Sequence, residues 1–157
     1  MNVQTLLDQA AQCKTSDDAH NLVLAMQDAF TSNGAPLGHL HVHNPDWSME
    51  DTGPFARFEF IRTISPYYLT TIRPEIREGK FSLVVVTNYV PDGAGAGSQN
   101  VQAIDLFDEE AIESDGEHAL EELAVRAVEL AIADHRLLIE RAGVPEAIAQ
   151  DTAQKSW

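Results

Sequence analysis

The chain has 157 residues, a net charge of −15 and a single cysteine, Cys13. A charge of that sign opposes direct binding to nucleic acid and to anionic membrane surfaces, and one cysteine excludes an intramolecular disulfide. A hydrophobic fraction of 44% excludes a wholly disordered chain, and one domain, 1–157, is expected to bury roughly 70% of the surface it exposes when unfolded.

No run approaches the ~20 apolar residues that a membrane helix needs, and residues 1–9 lack the basic and apolar regions of a secretory leader. The expected location is therefore the cytoplasm.

In chain order, Val3, Leu6, Leu7, Ala10 and Ala11 recur at helical spacing and predict a first helix. Ser16 is the expected N-cap of a second, with Asp17 and Asp18 in its first turn. Its apolar stripe is Ala19, Leu22, Val23, Met26, Ala29 and Phe30, and Asn33-Gly34 supplies residues that tolerate a left-handed C-cap. Residues 37–43 alternate as a strand, 44–54 read as a loop, and 55–64 alternate again with Ala56, Phe58 and Phe60 on one side. Residues 67–73 stay open between strand and loop, although Pro74 stops any helix there. The run Leu83-Val84-Val85-Val86 suits a central strand within 81–90, and 101–107 form the last strand.

Ser114 and Glu117 have capping-box spacing ahead of a long helix striped by Leu120, Leu123, Ala124, Ala127, Val128, Ala131, Ile132, Leu138 and Ile139. Gly143 and Pro145 close it, and 144–154 have room for one short helix. The order implies an α+β fold: an antiparallel sheet of about four strands packed against two N-terminal helices and one long C-terminal helix.

Charge is unevenly distributed. Arg57, Arg62, Arg73, Arg77 and Lys80 are half of the ten basic residues, whereas 81–125 contain neither lysine nor arginine. That span carries Asp92, Asp105, Asp108, Glu109, Glu110, Glu113, Asp115, Glu117, Glu121 and Glu122. Carboxylates at a helix start are partly explained by the helix dipole, but a solvated face normally mixes signs. Closely spaced carboxylates approach the charge density of a duplex, about one negative charge per ~1.7 Å, and suit the basic groove of a nucleic-acid-binding protein.

The most chemical segment is His39-Leu40-His41-Val42-His43. In a strand its three imidazoles share one face, and neighbouring ones, ~6.5–7 Å apart along the chain, can converge on a divalent ion such as zinc. A third ligand would come from Asp46, Glu50, Asp51 or Glu59. The plain alternative is an exposed polar strand face. The His-x-His spacing is similar to that of cupin metal motifs, but Glu50 falls too far after His43, so that ligand set is not carried onto this chain.

His135 lies in the long helix's apolar stripe and reads as a hydrogen-bonded core residue, while His20 and His118 lie near helix starts. The glycines of 93–97 precede a strand and no lysine, so they read as a hairpin connection rather than a phosphate loop. Cys13 reads as a small packing residue, since a nucleophile would need a base such as His20. No Gly-x-Ser-x-Gly elbow occurs.

These features favour a small, acidic, non-enzymatic binding protein that engages a basic protein or nucleoprotein complex. In kind it is similar to phage-encoded inhibitors of host nucleases and CRISPR complexes, an analogy that implies nucleic-acid mimicry. A metal-dependent enzyme or sensor built on the histidines is the second reading. The third is an acidic dimeric chaperone or adaptor: in size, charge and helix–strand make-up the chain resembles the chaperones of bacterial type III secretion, although two helices here precede the first strand where those have one.

Overall fold

The structure is a computed structural model that describes residues 2–65, 68–89, 104–105, 110–114 and 118–136. Its elements are α1 (Val3–Ala11), α2 (Ser16–Asn33), β1 (Val42–Glu50), β2 (Gly53–Ser65), β3 (Tyr68–Arg77), β4 (Lys80–Tyr89), β5 (Ile104–Asp105), β6 (Glu110–Ser114) and α3 (Leu120–Arg136). Strands β1 to β4 form an antiparallel meander, and β5 and β6 both pair antiparallel with β4 along its far side. The fold is α+β, with four long strands, two helices ahead of them and one behind.

Local chemistry sets the helix ends. Helix α2 is capped by Thr15 rather than Ser16: the Asp18 amide donates to Thr15 Oγ1 at 3.2 Å, while Asp18 Oδ2 accepts from the Lys14 and Thr15 amides at 2.8 and 3.1 Å. Those backbone bonds, chiefly the one from Lys14, hold the Asp18 carboxyl below its ordinary pKa. At the other end Gly34 is the C-cap, but its φ is −90°, not left-handed. The glycine is required by space instead, because a Cβ there would lie 2.8 Å from the Phe30 carbonyl oxygen.

The strands depart from the sequence reading in two places. Residues 34–40 make a series of tight turns, with the Leu37 amide donating to Gly34 O at 2.8 Å and Leu40 to Leu37 O at 2.9 Å, so no strand forms over 37–41. Most of 44–54, read as loop, is instead β1, and Pro45 is absorbed by a bulge between His43 and Asp46 where Asn44 has φ 50°. The segment left open between strand and loop is a strand over 68–77, and it runs through Pro74. The β2–β3 register is the same on both sides of it, from Phe60↔Ile72 to Arg57↔Glu75, but no pairing forms between them, where Pro74 lacks an N–H to donate.

The third departure concerns the C-terminal helix. Ser114 does not cap it but ends β6 opposite Phe81, and the helix begins at Leu120. Pairing wins over the local capping pattern because β6 delivers Ile112 to the core opposite Leu83. A backbone bond from the Val3 amide to His118 O at 3.1 Å then ties the start of α1 to the start of α3. Leu138, Ile139 and 144–154 lie outside the described residues, as does most of the strand expected over 101–107.

All three helices pack on one face of the sheet. Phe58 and Phe60 of β2, Ile72 and Ile76 of β3, and Phe81, Leu83 and Val85 of β4 meet Leu6, Leu22, Met26, Phe30, Leu123 and Ala127 in one buried cluster. Phe30 sits at its centre, with ring centroids 6.1 Å from Phe58, 6.3 Å from Phe60 and 6.1 Å from Phe81. Among the described residues no helix is long and apolar enough to cross a membrane.

Two predictions follow from this frame. Phe30→Ala should cost about 3–5 kcal/mol in urea unfolding, since it removes the ring on which three strand phenylalanines close. The β3–β4 hairpin turns on Glu78 and Gly79, with φ of 54° and 71°, as a two-residue type I′ loop requires. Glu78→Asn should therefore stabilise by about 0.5–1 kcal/mol, because asparagine tolerates positive φ better than glutamate.

Candidate functional site

The sheet face turned away from the helices is a checkerboard of charge. Strand alternation puts His43, Asp46, Ser48 and Glu50 of β1 there, with Phe55, Arg57 and Glu59 of β2 and Arg73, Glu75 and Arg77 of β3. Arg57 lies 4.0 Å from Asp46, Arg73 lies 3.8 Å from Glu59, and Arg77 reaches Glu50 at 3.0 Å and Glu75 at 3.9 Å. The Arg77 guanidinium also sits 4.1 Å from the Phe55 ring centroid and Arg57 sits 5.5 Å from it, which explains why this outward phenylalanine is buried. Each exposed pair contributes little stability. Their consequence is electrostatic: three of the ten basic residues are held against carboxylates of the same face.

The acidic residues singled out in the sequence divide into two groups. Asp108, Glu109, Asp115 and Glu117 lie outside the described residues. Asp105, Glu110 and Glu113 occupy β5 and β6, opposite Asn88, Val85 and Ser82 of β4. These backbone positions are three residues apart along that side of the sheet, a row of roughly 20 Å at the strand repeat; Glu110 falls in the register of the core residues Val85 and Leu83, and Asp105 and Glu113 fall in the alternate, outer register. Glu121 and Glu122 follow, both exposed in the first turn of α3, where they oppose the partial positive charge of the helix start. Backbone pairing with β4 therefore gathers positions that the sequence offers only as a dense run.

The histidines do not form the expected row. His39 and His41 lie in the turns before β1, and His43 alone enters it; all three are exposed. The shared strand face that the metal reading needed is absent because residues 34–40 fold back on themselves. Among the described residues no three His, Cys, Asp or Glu side chains are grouped to hold a metal ion.

Cys13 is half-buried and donates its thiol hydrogen to carbonyl oxygens of Gln9 at 3.4 Å and Asp18 at 3.6 Å, not to His20. It borders an open cleft of about 470 Å³ between α1 and the turns at Thr52, Gly53 and Gly79. The side chain of His135 and the glycines of 93–97 lie outside the described side chains and residues.

Sequence reasoning missed the surface where α2 meets β1. The Trp47 ring lies 4.4 Å from that of His20, yet Trp47 is 37% exposed, and Leu24, one helical turn beyond His20, is 45% exposed. With Val125 on α3 these are the exposed large hydrophobic residues among those described. The available signal was Leu24, which stands off the apolar stripe of α2; Trp47 was hidden by reading its segment as loop.

Comparison with family models, with curated proteins and with solved structures finds no match to this chain.

Burial, and secondarily the nearby Asp18 carboxylate, push the Cys13 thiol above its ordinary pKa. Alkylation of Cys13 by iodoacetamide should therefore reach half its limiting rate at a pH above the ~8.5 of a free cysteine. Asp18→Asn should move that midpoint down, and stopped-time mass spectrometry across pH measures both.

Proposed function

We propose that this chain is a small, acidic, non-enzymatic binding protein of the cytoplasm that engages a basic macromolecular partner, as an inhibitor of a nucleic-acid-binding complex would by imitating nucleic acid. The observation that carries the reading is the row of acidic positions Asp105, Glu110 and Glu113 beside β4, followed in the chain by exposed Glu121 and Glu122, within a span that contains no lysine or arginine. The arginine pairs on the outer sheet face support it, because they leave those cations little free charge with which to neutralise an acidic surface elsewhere. At short range such a row attracts guanidinium and ammonium groups, and that attraction falls as added salt screens it.

The test compares two variants of equal charge change. One carries Glu110→Gln, Glu113→Gln and Glu121→Gln; the other carries Asp8→Asn, Glu78→Gln and Glu129→Gln, at exposed positions of α1, the β3–β4 turn and α3 that lie in neither surface. The probe is an arginine-rich peptide, with affinity followed by titration at low and high salt. The first variant should weaken binding about tenfold or more and flatten its salt dependence, while the second changes it by less than about threefold. Equal losses would reduce the effect to net charge and remove the acidic row as a binding surface.

A further inference from the structure

We propose that the free edge of β1 is a docking site for an extended, basic segment of a partner protein, which adds a strand beside residues 46–50 and lays an apolar side chain against Trp47 and Leu24. The inference rests on the basic-partner reading above and names how such a partner is gripped.

Strand β1 ends the sheet: among the described residues it pairs with β2 alone, and all its residues but Val42 and Met49 are exposed. An open edge offers alternate N–H and C=O groups to an incoming strand, and proteins commonly guard such edges. Here the guard covers only half the strand. Asn44 and Pro45 occupy the bulge that breaks the register, which spoils the ladder at that end. Beyond it, Asp46 to Glu50 pair without interruption with Arg57 to Gly53, so this stretch keeps a regular outward edge.

The side chains beside that stretch define what it fits. Trp47 alternates to the helix side of the sheet and rests on His20, so its exposed surface and that of Leu24 border one corner between edge strand and helix. Aromatic groups left part-exposed beside a backbone edge are the common anchors of protein interfaces. Asp17, Asn21, Leu24 and Asp28 share the exposed stripe of α2, so carboxylates lie on both sides of Leu24 along the helix, and exposed Asp51 closes the end of β1. Asp17, Asp28 and Asp51 form no ion pair among the described residues. An apolar corner flanked by unpaired carboxylates favours a strand that alternates apolar side chains with lysine or arginine. It disfavours a second copy of this chain, whose antiparallel β1 would bring Glu50 and Asp51 against the same acidic edge.

The probe is a short synthetic peptide alternating lysine with valine and leucine, set beside its glutamate counterpart. Binding is read in a Trp157→Phe chain, which leaves Trp47 as the one indole, and by amide hydrogen exchange of the native chain. The lysine peptide should shift Trp47 emission to shorter wavelength and slow exchange across residues 46–50, and the glutamate peptide should do neither. Leu24→Asn, on an exposed helix face, should weaken binding about tenfold or more without altering the melting transition, and Trp47→Ser should do the same by exchange. Binding without protection of 46–50, or binding undiminished in Leu24→Asn, overturns the proposal. So does a dimer in sedimentation of the free chain that Trp47→Ser dissolves, because the edge then belongs to a second copy. If neither this peptide nor the arginine-rich one binds, the basic-partner reading fails and this docking site with it. If the arginine-rich peptide binds and responds only to the Glu110, Glu113 and Glu121 changes while β1 stays unprotected, the docking site alone fails.

Discussion

The packing of Phe30 against the sheet is the constraint on which the rest of the structure depends. One ring from α2 meets phenylalanines from β2 and β4 at centroid distances near 6 Å, and burial of aromatic surface on this scale dominates the energetics of a small core. It fixes which face of the sheet the helices cover. It also ends α2 where it does, since the carbonyl of Phe30 accepts the Gly34 amide at 3.0 Å and leaves no space for a Cβ there. The turns that follow bring the chain to β1 with His43 on the outer face and Trp47 on the helix side.

With one face taken by the helices, strand alternation dictates the other. Every second residue of β1 to β3 must face away from the core, and Arg57, Arg73 and Arg77 fall there with carboxylates on the same or neighbouring strands. The resulting pairs are half-buried to exposed and individually weak. They matter because they confine cationic side chains to one surface. The molecule's charge asymmetry is therefore a product of register: a slip of one residue in β2 would turn Arg57 and Glu59 into the core and Phe58 out of it.

The two sides of the sheet differ in a way that bears on binding. Beside β4, short strands β5 and β6 supply pairing and carry acidic positions with them. Beside β1 no described strand pairs, and a bulge guards only half the edge. A partner attracted by the first surface meets charge; one that reaches the second meets backbone hydrogen-bonding groups and an apolar corner. Affinity from charge alone is sensitive to salt, whereas backbone pairing and aromatic burial are much less so.

By itself the sequence determined the fold class, the three helices, the β2 and β4 strands and the uneven distribution of charge along the chain. These rest on local periodicity and composition, which a single strand or helix displays without its neighbours: Ala56, Phe58 and Phe60 alternate, and the stripe of α2 repeats at helical spacing. The tertiary structure decided what depends on pairing. Residues 44–50 carry a proline and little apolar alternation, and they become a strand because β2 supplies a partner and a bulge absorbs Pro45. Pro74 survives within β3 because pairing on both sides of it holds the strand. The histidines lost their shared face because residues 34–40 close local turns, with bonds three and four residues apart, that seat Leu37 in the core. Ser114 became a strand end rather than a helix cap because the core needs Ile112 more than α3 needs an earlier start. Trp47 emerged as a surface group for the same reason: exposure belongs to the packed molecule, and no local pattern encodes it.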